Sequence, residues 1–86
     1  MKIILLYFGR PGENLKMKRE FADIPDNTAT LADLLAWLRL RGDDWKHELS
    51  EGRIRCAINK EFAAWSAKIN ERDEVAIFSQ IGRAHV

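Results

Sequence analysis

Few residues in this sequence are equipped for chemistry. Cys56 is the single cysteine, and His47 and His85 are the two histidines. A thiol nucleophile needs a base within hydrogen-bond reach, and His47 lies in a separate polar segment with no motif joining it to Cys56. Cys56 shares a strand phase with Ile54 and Ile58, so it reads as a small buried hydrophobe. No set of Cys, His and carboxylates has the spacing of metal ligands. The acidic pairs Asp43-Asp44 and Asp73-Glu74 suggest carboxylate catalysis, but the first suits a helix N-terminus and the second a turn, both in solvent. Gly9 and Gly12 follow an apolar strand but lack the Lys-Ser/Thr of a phosphate loop and the spacing of a dinucleotide fingerprint, so they read as a turn. Arg41, Arg53, Arg55 and Lys60 would form a basic stripe on the outer face of a sheet. Such a stripe is a solvated face by default, or a docking surface for an acidic partner. Trp37 and Trp65 read as core or edge packing. Nothing here amounts to the machinery of an enzyme.

The elements that would position these residues follow from periodicity. Residues 3–8 are a nearly unbroken apolar run, as expected of a central strand covered on both sides. A glycine- and proline-rich turn at 9–14 leads to a second strand within 15–24. Its alternation is imperfect because Arg19 falls in phase with Leu15, Met17 and Phe21, which predicts a bulge or a late start. Thr30 and Asp33 form a capping box for a helix with Leu31, Leu34, Leu35 and Leu38 on one stripe. Gly42 is expected as its left-handed C-terminal cap. A short second helix begins at Asp43-Asp44 and carries Trp45 and Leu49. Residues 53–59 alternate as a half-buried strand, with Ile54, Cys56 and Ile58 inward and Arg53, Arg55 and Ala57 outward. A corner at Lys60-Glu61, an edge strand at 62–65, a turn at 70–73 and a last strand at 74–78 complete the chain. One main helix across one mixed sheet satisfies all these apolar faces.

Composition narrows the classes further. Fourteen Lys and Arg against thirteen Asp and Glu leave a net charge of +1 in 86 residues, which argues against a nucleic-acid or membrane-surface protein. The 3–8 run is too short to span a bilayer or to form a signal-peptide core. A cytoplasmic, disulfide-free single domain with no bound cofactor is the expectation.

In order, MKIILLYFGR at 1–10, TLADLLAWL at 30–38, AINKE at 57–61 and RDEVAIF at 72–78 resemble the MoaD-like small subunits of molybdopterin synthase, within the ubiquitin-like sulfur carriers. The resemblance covers residues 1–79 and rests most on Tyr7-Phe8-Gly9, Asn59-Lys60-Glu61 and Asp73-Glu74-Val75-Ala76. It implies an α+β ubiquitin-like β-grasp with a sheet of four to five strands, in agreement with the element order above. It also implies a sulfur carrier of molybdenum cofactor biosynthesis that is not an enzyme alone. An adenylyltransferase related to ubiquitin-activating enzymes would use ATP to activate a C-terminal Gly-Gly carboxylate, which a sulfur donor converts to a thiocarboxylate. The carrier would then dock on the large synthase subunit and pass sulfur to cyclic pyranopterin monophosphate. Phe78, Arg53 and Arg55 are the expected docking residues. Two other readings stay open. One is a carrier for thiamine or tRNA thiolation, against which the length and the 43–52 insertion count for the thiazole carriers. The other is a β-grasp interaction module without covalent chemistry.

The resemblance breaks after Phe78. The chain continues SQIGRAHV, with the one glycine Gly82 in place of a terminal Gly-Gly. Residues 80–86 are what a common sequencing adapter encodes, so the expectation is a domain at 1–79 followed by a non-native tail. Gly82 is then at most a remnant of the activated position. Arg72 stands where the resemblance has glycine, which a negative φ would make tolerable.

Overall fold

Alternation in the first strand sets the architecture. In β1 (Lys2–Tyr7), Ile3, Leu5 and Tyr7 are buried whereas Lys2, Ile4 and Leu6 are not. The computed structural model describes residues 1–80. After β1 come α1 (Arg10–Leu15), β2 (Arg19–Asp23), α2 (Leu31–Arg39) and α3 (Asp43–Glu48). A 3-10 turn (Glu51–Arg53) then leads to β3 (Ile54–Ile58), β4 (Glu61–Phe62) and β5 (Glu74–Ser79). The sheet order is β2-β1-β5-β3-β4, with β1 and β5 parallel at its centre and the other pairings antiparallel. This is the expected mixed sheet with one main helix, at five strands.

The helix α2 forms where its stripe and cap agree. Thr30 Oγ1 accepts the Asp33 amide at 3.2 Å, and Asp33 Oδ2 accepts the Thr30 amide at 3.2 Å. Leu31, Leu34, Leu35 and Leu38 are fully buried against Ile3, Leu5, Ile54, Val75 and Ile77. Removing one leucine side chain from such a layer costs about 2–5 kcal/mol. The segment after β4 crosses the helix start, where Leu31 and Ala32 amides donate to Ala67 and Trp65 carbonyls at 2.8 and 2.9 Å.

Several expectations are corrected. Residues 9–14 are not a simple turn: Gly9, at φ 71°, starts α1, and Pro11 sits in the first turn, where its missing N–H is harmless. The second strand has the late start anticipated for it, at Arg19, and the shared phase holds, with Arg19 and Phe21 both facing outward into solvent. Gly42 does not cap α2, which ends at Leu40 in a right-handed conformation; it is the residue before α3. The edge strand is shorter than expected, Glu61–Phe62. The first strand is covered on one face only.

Asp73 is buried rather than solvated, and it ties two of the telling sequence pieces together. Its carboxylate accepts Asn59 Nδ2 at 3.0 Å and the Asn70 amide at 2.8 Å, while Asn59 Oδ1 accepts the Glu74 amide at 3.0 Å. Asn59 and Lys60, both at positive φ, make the tight β3–β4 turn. Arg41 leaves the supposed basic stripe. Both its terminal nitrogens hold Glu20, at 2.8 and 2.6 Å, and its guanidinium lies over the rings of Trp37 and Trp45. Tyr7 Oη also donates to Glu20, at 3.0 Å.

Two outcomes follow. Arg72 has φ 69°, not negative, and a side chain in that region is strained. Arg72→Gly should therefore raise stability by about 0.5–1 kcal/mol in urea titration, and a loss of stability would refute strain at this turn. The Arg41 guanidinium holds the Glu20 carboxyl below its ordinary value. The ionised form is thus favoured in the folded state, and its stabilisation is complete above the unfolded pKa and lost as pH falls through the lowered folded one. Glu20→Gln should be less stable than the parent at neutral pH, and the difference should shrink below about pH 4.5, as acid titration of Tm would show.

Candidate functional site

The strand phase that buries Val75 and Ile77 turns Phe78 outward, at the end of β5. Arg55 is its cross-strand partner, so these two expected docking residues share one face. Phe8, just past β1, stacks on Phe78 with ring centroids 5.0 Å apart and an interplanar angle of 12°. From the other side Phe62 approaches Phe78 at 5.7 Å, and the Arg55 guanidinium lies 3.9 Å from the Phe62 ring centroid. Phe8 and Phe62 remain 45% and 61% exposed, too much for core residues. Small residues floor the patch, since Ala76 sits between Leu6 and Ala57, and Ala57 is opposite Phe62. Aromatics gathered on an open sheet face beside an arginine have the composition of an interface centre.

Arg53 is elsewhere. It ends the 3-10 turn instead of starting the strand, and its guanidinium is 3.9 Å from Glu48 Oε1. Glu48 is itself buried and accepts Asn14 Nδ2 at 2.8 Å. Arg53 therefore lines a separate cleft of about 180 Å³ with Arg10, Pro11, Ser79 and Gln80. The Arg53 carbonyl accepts the Gln80 amide at 2.8 Å, which carries the β3–β5 ladder one residue past the strand. Gly9 closes this end of β5, and a Cβ there would come within 2.9 Å of Ser79 Oγ. Gly82 and His85 lie outside the described residues.

The remaining candidates do not assemble. Cys56 is buried in β3, where burial pushes its thiol up to about 12, far from thiolate at neutral pH. Asp43 and Asp44 occupy the first turn of α3. Trp37 and Trp65 pack half-buried against the core. Among the described residues, no three His, Cys, Asp or Glu side chains are grouped to hold a metal, and no helix is long and apolar enough to cross a membrane.

Phe8 and Phe62 escaped the sequence reading. Phe8 alternates with Tyr7 and so shares the phase of Ile4 and Leu6, which is a usable signal. Phe62 carries no such signal, because its place depends on the turn at Asn59-Lys60.

The chain is similar in structure to a Pyrococcus furiosus protein described as molybdopterin converting factor, subunit 1. The TM-score is 0.77 at 22% identity, covering 94% of this chain and 99% of that one. The Haloferax volcanii HVO 2177 protein is similar at TM-score 0.79 and 21% identity, over 96% of this chain and 86% of that one. Small archaeal modifier protein 1 of Haloferax volcanii is similar at TM-score 0.63 and 28% identity, over 90% of this chain and 94% of that one. No curated protein sequence matches the chain. The sequence model of the ThiS family matches residues 5–82. With a matching β-grasp and a match across nearly its whole length, the chain belongs to the ThiS family of ubiquitin-like sulfur carriers.

Proposed function

We propose that this chain is the small, sulfur-carrying subunit of a molybdopterin synthase. The observation that carries the reading is the Phe8–Phe78–Phe62 cluster with Arg55 at the end of the central strand β5. A partner seated on that face would receive whatever follows residue 80. The α3 insertion after α2 supports a molybdopterin carrier over the shorter thiazole carriers. So does the likeness to molybdopterin converting factor, subunit 1, which covers nearly all of both chains. In this reading residues 80–86 replace a native stretch ending in Gly-Gly. Glycines without a Cβ would let such a tail pass through a narrow channel into the active site of the large subunit. An adenylyltransferase would join the terminal carboxylate to AMP from ATP, releasing pyrophosphate. A sulfur donor would then displace AMP to leave a thiocarboxylate.

The likeness to small archaeal modifier protein 1 favours a second reading, in which the activated terminus is joined to other proteins. One experiment separates the two. A chain with residues 80–86 replaced by a Gly-Gly ending is incubated with activating enzyme, ATP and a sulfur source. Intact mass should rise by about 16 Da as oxygen is replaced by sulfur. Addition of large subunit and cyclic pyranopterin monophosphate should then yield molybdopterin and return the mass to its starting value. A thiocarboxylate that forms but gives no molybdopterin rules out the synthase role, and no mass change rules out the carrier role.

The docking face makes a further demand. Phe62→Ala should weaken binding to the large subunit about 10- to 100-fold in titration calorimetry. Because Phe62 is largely exposed, stability should change by no more than about 1 kcal/mol. Unchanged affinity would remove the aromatic cluster from the interface.

A further inference from the structure

The sheet has an edge that the docking face does not use. In the β1–β2 pair, the Ile24 amide donates to the Met1 carbonyl at 2.8 Å and the Tyr7 amide to the Lys18 carbonyl at 3.0 Å. With the register Lys2↔Asp23, Ile4↔Phe21 and Leu6↔Arg19, the hydrogen-bonded positions of β2 are therefore the even ones. The N–H and C=O groups of Arg19, Phe21 and Asp23 point the other way, off the edge of the sheet. The strand is five residues long and carries neither a proline nor a bulge to block edge pairing; its inward charge, Glu20, is held within the fold by Arg41, and its outward charges, Arg19 and Asp23, are opposite in sign. Phe21 is 74% exposed at its centre.

The side chains on this edge are complementary to themselves. An antiparallel copy centred on Phe21 places Phe21 opposite Phe21, and Arg19 opposite Asp23 in both directions. All three residues have outward-facing backbone groups, so this register makes them hydrogen-bonded pairs in which both N–H groups donate. Opposite charges directly across strands stabilise the pair. A parallel copy in register would set Arg19 against Arg19 and Asp23 against Asp23. Glu20 faces inward and is already held by Arg41 and Tyr7, so it brings no repulsion to the join. Asp23 accepts the Met1 amino group at 3.2 Å yet stays 74% exposed, and the Arg19 guanidinium rests on its own Phe21 ring, 5.3 Å from the centroid.

We infer that the occupant of the β2 edge is a second copy of this chain, joined about a two-fold axis through Phe21 into one continuous sheet. Such an interface is isologous and closed. A contact confined to one short strand belongs to the class below about 1,200 Å², so dimerisation is weak, with Kd on the order of 0.1–1 mM. The join leaves Phe8, Phe62 and Phe78 open, and it is independent of the sulfur-carrier reading.

Sedimentation velocity and residue-resolved amide hydrogen exchange, from about 10 μM to 1 mM chain, test this. The sedimentation coefficient should rise with concentration. The amides of Arg19, Phe21 and Asp23 should gain protection, while those of Glu20 and Ala22, already bonded to β1, should not. Arg19→Asp and Asp23→Arg should each abolish the rise by setting like charges opposite one another. The double variant should restore it. A monomer throughout, or protection gained at Phe8, Phe62 and Phe78 instead, would overturn the inference even if a variant failed to fold. Dimerisation indifferent to the charge reversals would overturn the register.

Discussion

The parallel pairing of β1 with β5 is the contact on which the rest of the molecule depends. Two parallel strands need a long crossover, and here nearly the whole chain serves as that crossover. β5 consequently ends up between β1 and β3, held on both sides along its length. Val75 and Ile77 are fully buried, so the final strand is the centre of the sheet and no frayed appendage. A tail that leaves such a strand starts from a fixed point and in a fixed direction. This suits a protein whose reactive group lies beyond the fold.

A domain of this size has apolar residues enough for one helix layer, and the layer is committed to one face. The four buried leucines of α2, with Leu49 and Ile69, close the inner side. The outer side keeps Ile4 and Leu6 half-covered and Phe8, Phe21 and Phe62 in water. The openness of that face thus follows from the same count that makes the core. The strand alternation required to bury Val75 and Ile77 leaves Phe78 no other direction to point.

Elements governed by local rules were legible in the sequence. The Thr30–Asp33 capping box, the leucine stripe, the inward phase of Cys56 and the final strand all stand as read. Features decided by distant contacts were not. Six residues of α1 are too few to show a helical period, and that helix depends on Gly9 at positive φ and on packing against α3. Arg53 continues the alternation of β3 on paper, yet buried Glu48 lies beside it and the strand begins one residue later. Arg41 counted as a surface cation until the fold brought Glu20 within reach. In the site, Phe78 and Arg55 were legible from phase alone. Phe62 required the register across the hairpin, which single-sequence periodicity does not contain.

The polar residues that identify the family in sequence are structural in this molecule. Asn59 and Asp73 spend their hydrogen-bonding capacity on each other and on the backbone at 70 and 74. They fix the start of β5 against the end of β3. At the other end of the same strand, Gly9 packs against Ser79 at φ 71°, where a side chain would be strained. Both ends of β5 are therefore positioned by residues that react with nothing. In the proposed reading, substituting them would disturb sulfur transfer only by moving the strand, whereas substituting Phe62 or Arg55, on the open face, would act on the partner and leave the strand in place. That division separates the residues that build the carrier from those that present it.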